Sequence, residues 1–225
     1  MSQKQKSIRS LHEAAEVRIK TNQILEISSR SEIQLGKQLS AFSLAFNLDD
    51  GTRTTVECAY QGSKVFRNGG PYTDLYGLDS RAAKTDERMR RGDKLIAFSL
   101  AGQDWPIEPQ TFFYDWIYIN ALHRQTAMAS NVLNYEAFTD IGFNPAKSFN
   151  CQARAAAQYV SMSRRGILLD ALNDKTCLHP STKSSLRWRL NSNCCDDMLR
   201  NEWHIVHDVQ NQAKHILIGK MHELN

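Results

Sequence analysis

A chain of 225 residues with 41% hydrophobic and 23% charged side chains has the composition of a protein that buries one sizeable core. With 11 Gly and 5 Pro, and with no internal repeat, it is not a low-complexity or globally disordered polymer. A formal charge of +4 permits contact with a polyanion without demanding it, and the short basic clusters at Arg88, Arg90, Arg91, Lys94 and at Arg164, Arg165 read as solvated helix surface. No apolar run approaches the ~20 residues that span a bilayer, and the polar start, Met1 to Lys6, leads into no apolar segment of signal-peptide type. The five Cys, at positions 58, 151, 177, 194 and 195, are odd in number and unevenly spaced. They argue for a reducing compartment, so a cytoplasmic protein without a membrane partner is expected.

Apolar positions Ile8, Leu11 and Ala15 put a helix on residues 2–20 with one buried face. Ser29 and Glu32 have the spacing of a capping box for a short helix that stops near Gly36. The period then changes. Leu39, Ala41, Ser43, Leu44, Phe46 and Leu48 run up to Asp49-Asp50-Gly51, and Thr52 to Thr55 follow, which is a hairpin signal and the expected main sheet element. Residues 56–67 look helical, ended by Asn68-Gly69-Gly70-Pro71. A polar helix is expected over 80–91 and a short strand or buried coil over 94–101. Pro106 and Pro109 frame the start of an aromatic helix over 111–122. A helix near 127–133 leads to a loop around Phe143-Asn144-Pro145, and an Ala-rich helix over 153–165 closes at Gly166. After about Leu172 the composition turns polar, and Trp203, Val206, Val209, Ala213, Leu217 and Met221 suggest a helix over about 196–222. The expected division is a main domain, 1–172, and a helical C-terminal appendage, 173–225.

The most informative stretch is Val56-Glu57-Cys58-Ala59-Tyr60-Gln61-Gly62-Ser63-Lys64-Val65-Phe66. On a helix, Glu57, Gln61 and Lys64 fall at i, i+4 and i+7 and share one face, with Val56, Tyr60, Ser63 and Phe66 beside them. Taken alone, a carboxylate, an amide and an ammonium in a row are an ordinary surface stripe. The Gly69-Gly70-Pro71 turn and the following Tyr72-Thr73-Asp74-Leu75-Tyr76 shift the weighting, because a glycine turn beside two tyrosines lets a flat ring approach the backbone.

The string VECAYQGSKVF is similar to the signature helix of the NADAR family. VECAYQGSKVFRNGGPYTDLY, with AFTDIGFNPAKSFNCQARAAAQYV further on, resembles the branch whose members stand beside DarT-type toxins that ADP-ribosylate guanine in DNA. The resemblance covers most of residues 2–165 in order. It implies a mainly α (α+β) protein, with a multihelical YbiA-like NADAR fold and a small β-hairpin near the N-terminus. It also implies an N-glycosidase (ADP-ribosylhydrolase) that removes ADP-ribose from ADP-ribosylated guanine in DNA, as an antitoxin or an anti-defence enzyme in a bacterial or phage-infected cell. Carried over residue by residue, Glu57, Lys64, Trp105 and Asp140 form the catalytic set. Gln61, Gly70, Tyr72, Asp74, Asn144, Asn150 and Arg154 form the substrate-binding set. ADP-ribose is expected as product and ligand, with ADP-ribosylated DNA and a cognate DarT-type toxin as partners; no cofactor or metal is implied. Members of the branch carry an aromatic stretch before the SQKQKSI segment on which this chain begins. Either its start is placed late or part of the pocket is missing.

The bond to be cut joins ribose C1 to a base nitrogen. It breaks through an oxocarbenium-like state, which calls for a carboxylate near C1 and a proton for the leaving base. Glu57 or Asp140 serves as the first, and the other assists proton transfer. Lys64 either holds the diphosphate as a point charge or attacks C1 to form a Schiff base with the opened ribose. Trp105 or Tyr72 would stack on the base or adenine. Asn144, Asn150 and Arg154 would contact diphosphate or ribose, Asn150 from beside a helix N-terminus. Cys194-Cys195 with His204 and His207 fits no standard zinc spacing. The run Phe112 to Tyr118 reads as core and Asp86-Glu87-Arg88 as solvated helix. Competing expectations are hydrolysis of another N-glycoside, such as a riboflavin-pathway intermediate, and a protein that binds ADP-ribose or the toxin without cutting.

Overall fold

The computed structural model describes residues 2–144 and 148–173, together with the backbone of 203–207 and 215–219. Helix α1 (Gln3–Ile19) begins where Ser2 and Gln5 cap each other, Gln5 N–H donating to Ser2 Oγ at 3.3 Å and Ser2 N–H to Gln5 Oε1 at 2.8 Å. Its buried stripe, Ile8, Leu11, Ala15 and Ile19, packs on Ile24, Ala137 and Ile141. Strand β1 (Ile24–Glu26) pairs in parallel with a strand far along the chain, β7 (Ala137–Thr139), with Glu26 opposite Thr139. Every residue of the pair is buried, so neither strand alternates and periodicity gives no sign of them.

The short helix α2 (Gln34–Gln38) forms, but not from a capping box. Its N-cap is Ile33, with no side-chain bond; Ser28 and Ser31 instead accept from Arg30 N–H and Ile33 N–H, and Glu32 pairs with Arg9 at 3.0 Å. The hairpin of β2 (Ala45–Asn47) and β3 (Arg53–Thr55) turns at Asp49-Asp50-Gly51 as expected. It is not the main sheet. That is the three-stranded antiparallel sheet of β4 (Lys64–Phe66), β5 (Leu95–Leu100) and β6 (Gln103–Trp105). Ahead of β4 lies α3 (Val56–Gly62), so the helix expected over 56–67 ends five residues early. The polar helix splits into α4 (Ser80–Thr85), capped by Asp79, and a 3-10 turn, Glu87–Arg90.

Helix α5 (Phe112–His123) is apolar on every side and is accordingly central, packed against α3 and against α7 (Gln152–Arg164). Ala153, Ala155, Ala156 and Ala157 present little bulk and are all buried. Between the two helices Arg154 Nη2 meets Asp115 Oδ2 at 2.8 Å. Helix α6 (Thr126–Val132) follows α5, and α8 (Leu168–Asn173) follows α7 after the turn at Gly166.

The helix expected over 196–222 is contradicted at both of its described stretches. There β8 (Trp203–His207) and β9 (His215–Gly219) pair antiparallel, with β9 running beside β7 and α7. The runs WHIVH and HILIG are rich in β-branched residues, a composition that favours strands. The remainder of 174–225, with Cys194 and Cys195, lies outside the described residues, as do the side chains of His204 and His207. Eight α-helices and four small sheets among the described residues make this an α+β protein. No described helix is long and apolar enough to cross a membrane.

Candidate active site

The chemistry starts at the junction of β3 and α3. Thr55 caps α3 by accepting Cys58 N–H at 3.2 Å, and Glu57 N–H donates to Ala41 O at 3.0 Å. These bonds fix Glu57 on the inner face, 5% exposed. Helix α3 ends at Gly62, a position that must be glycine because a Cβ would come within 2.5 Å of the Tyr76 ring. The chain then enters β4, yet Lys64 still faces back along the helix. Lys64 Nζ donates to Gln61 Oε1 at 2.7 Å, and Gln61 Nε2 donates to Glu57 Oε1 at 2.9 Å. Lys84 of α4 reaches the same Glu57 oxygen at 3.6 Å while lying 5.0 Å from the centroid of Phe42. Burial pulls the Lys64 ammonium down to about 8; the negative charge of Glu57 opposes the shift and Lys84 adds to it.

A second carboxylate lines the same cavity as Glu57. Asp140 follows β7 directly and is 6% exposed. Its Oδ1 accepts Gly142 N–H at 2.9 Å, and it also accepts from the Gln152 amide, whose own oxygen accepts Ala41 N–H at 2.8 Å. Burial first, and then the charge of Glu26, raise the Asp140 carboxyl to about 7.

Glu57 and Asp140 line one cavity of about 1120 Å³. That is at or above the ~300–1,000 Å³ of small-molecule sites. Tyr60 and Tyr114 form part of its wall, with ring planes at 86° and centroids 5.4 Å apart. Burial pushes the Tyr60 hydroxyl up to about 12, against a hydrogen bond from the Asn150 side chain. The Asn150 Oδ1 is buried with no hydrogen-bond partner among the described residues, an acceptor available to a ligand. Lys4, Arg30, Arg81 and Lys84 supply exposed cations to the lining.

Six of the residues expected at the site meet at this cavity: Glu57, Gln61, Lys64, Asp140, Asn144 and Asn150. Five do not line it. Trp105 is packed into the core, 3% exposed, with its ring 4.3 Å from Trp116 and 5.5 Å from Phe113. Tyr72 lies against Phe66 and under the Arg88 guanidinium, and Asp74 is bound by Arg88 at 2.6 Å. Arg154 is held by Asp115. Gly70, at φ +102°, is pressed against the Lys64 carbonyl, so it supports the site from behind. Tyr60, Tyr114, Lys84 and Gln152 join the lining without being expected there. Tyr60 carries a signal, since it lies inside the VECAYQGSKVF string; Lys84 carries none, its helix reading as solvated.

Glu57, linked through Gln61 to Lys64, shares one cavity with Asp140, and these are residues on which the chain resembles the NADAR superfamily. More particularly, residues 1–185 match the model of a family described as DarT1-associated NADAR antitoxin, and the chain belongs to that family. A search of curated proteins returns no match.

Proposed function

We propose that this protein is an N-glycosidase that frees ADP-ribose from ADP-ribosylated guanine in DNA and so acts as the antitoxin to a DarT1-type toxin. The observation that carries the reading is that Glu57 and Asp140 line the same cavity, Glu57 bonded by Gln61 and Asp140 by Gly142 N–H. Asp140 is raised to about 7 by burial, so it retains a proton near neutrality and suits the role of acid toward the leaving base. Glu57 is bound by Gln61 and Lys84 and suits the role of carboxylate facing C1, where it steadies the oxocarbenium and aligns water. Water adds at C1, the C1–N bond breaks, Asp140 gives its proton to the base, and a proton of the attacking water passes to Glu57. The exposed cations of the lining suit a diphosphate, and the Asn150 oxygen suits a ribose hydroxyl or a base N–H.

A second role is favoured for Lys64 by its depressed ammonium. Neutral above about 8, its amine is suited to attack C1 and break the C1–N bond, the base leaving with the proton of Asp140. Opening of the ring C1–O bond, whose oxygen takes the amine's proton, then gives a Schiff base that water hydrolyses to free ADP-ribose.

Incubation with an ADP-ribosylated guanine oligonucleotide tests the reading. Wild type is expected to release free ADP-ribose, and Glu57→Gln to be slower by about 100-fold or more. Tight binding of the oligonucleotide by wild type without release would replace the glycosidase with a reader of the modification.

A further inference from the structure

Glu26 is a carboxylate 1% exposed, and among the described residues no cation pairs with it. Burying a charge that way is unfavourable unless its oxygens are bonded. They are. Thr139 Oγ1 donates to Oε2 at 2.5 Å and Ile141 N–H donates to Oε1 at 2.9 Å. The two donors flank Asp140 in sequence, so one side chain of β1 grips the chain on both sides of the residue that faces the cavity. Thr139 gives its only hydroxyl proton to the bond with Glu26. The 3.0 Å contact between Thr139 Oγ1 and His12 Nε2 therefore requires His12 to donate from Nε2. Burial keeps the His12 imidazole below its ordinary range, so a neutral ring on α1 completes the chain.

We propose that Glu26 is a positioning residue for the glycosidase reaction: clamped to Thr139 and Ile141, it fixes Asp140 in the cavity wall and sets a second negative charge behind it. The proposal rests on the functional reading above and adds a residue that touches no substrate. The groups that bear on Asp140 come from three sides. Glu26 stands on β1, Tyr114 and Tyr118 on α5, and Cys151 and Gln152 at the start of α7. Burial pushes both tyrosines and Cys151 up, which leaves them neutral at working pH. The negative charge of Glu26 bears on Asp140 from β1.

Glu26→Gln separates charge from shape. The amide oxygen still accepts from Ile141, the amide nitrogen donates to Thr139, and Thr139 turns its proton toward His12. The Asp140 carboxyl, followed by NMR of the free, carbon-13-labelled protein, is expected to titrate lower by about 1 pH unit or more. The alkaline limb of the rate profile should move down by the same amount, with KM within about twofold. An unmoved Asp140 titration in folded Glu26→Gln overturns the proposal. That titration needs no substrate, so it is independent of whether the protein cuts ADP-ribose. If Glu26→Gln fails to fold, Thr139→Val decides instead. It keeps the charge and the β-branched shape but removes the clamp, and kcat is expected to fall about tenfold or more with KM little changed; an unchanged kcat overturns the proposal.

Discussion

Glu57 and Lys64 are joined through the amide of Gln61, which donates to the carboxylate at 2.9 Å and accepts from the ammonium at 2.7 Å. A carboxylate only accepts and an ammonium only donates, so the amide has one workable orientation. The row is therefore polarised, with the acceptor end at Glu57 and the donor end at Lys64.

Lys64 is lowered from 10.5 to about 8 by burial. Between those values the unfolded chain binds more protons at this position than the folded one, so stability owed to Lys64 rises with pH through the window and is lost as pH falls through about 8. Lys64→Met is thus expected to melt above wild type at neutral pH, with the gap closing between about 8 and 10.5. The same variant should release no ADP-ribose. Borohydride added during turnover should leave an adduct on wild type that grows as pH approaches 8; a clean protein mass would remove the Schiff-base role.

Asp140 behaves in the opposite sense. Its carboxyl is raised from 3.8 to about 7, so the folded state holds the extra proton and stability from this group is lost as pH rises through that window. Asp140→Asn should therefore stabilise the protein most above pH 7 and give no such gain below about 3.8. A tenfold difference in proton affinity between the folded and unfolded chain corresponds to about 1.4 kcal/mol, and each kcal/mol to roughly 2–4 °C in Tm for a chain of this size. Melting curves across pH 4 to 8 check it, and ADP-ribose release should be lost throughout.

Gly70 combines φ +102° with contact against the Lys64 carbonyl. Gly70→Ala is expected to lower stability by about 1–3 kcal/mol and to slow release by shifting Lys64. Gly77→Ala, where a Cβ meets nothing within 4 Å, is the matched control and should do neither. Urea midpoints and initial rates on the three proteins decide it.

The ion pair of half-buried Arg154 with buried Asp115 predicts a structural defect. Arg154→Met strands Asp115, whose carboxyl burial already raises, and should cost about 3–5 kcal/mol. Asp115→Asn added to it should restore part of the loss. KM measured on folded protein at low temperature should stay near the wild-type value. A raised KM with unaltered stability would return Arg154 to the ligand.

Residue spacing reveals part of this molecule and hides part. Glu57, Gln61 and Lys64 stand out at helical intervals, and they do converge, although Lys64 belongs to β4. The chain leaves the helix at Gly62 and pairs as β4 with β5, a long-range contact that periodicity cannot register. The hairpin is visible at Asp49-Asp50-Gly51, but the apolar run before it overstates its extent. Leu39, Ala41 and Leu44 are buried in turns and coil, where apolar character reflects core contact and not strand. Asp140 is found through family likeness alone, since β1 and β7 are buried on both faces and show no alternation. Trp105 matches a family position and yet lies in the core, because β6 turns it toward Phe112, Phe113 and Trp116.

Glu26 and Thr139 meet across 113 positions of chain. A ribosome making this protein exposes Glu57, Gln61 and Lys64 early, but β1 has no partner until β7 has left the exit tunnel, and Asp140 has no Gln152 beside it until α7 has followed. The cleft is therefore closed only once α7 has followed and is not built up around its motif. A nascent chain, or a message cut short before α7, would yield the recognisable motif and none of its chemistry.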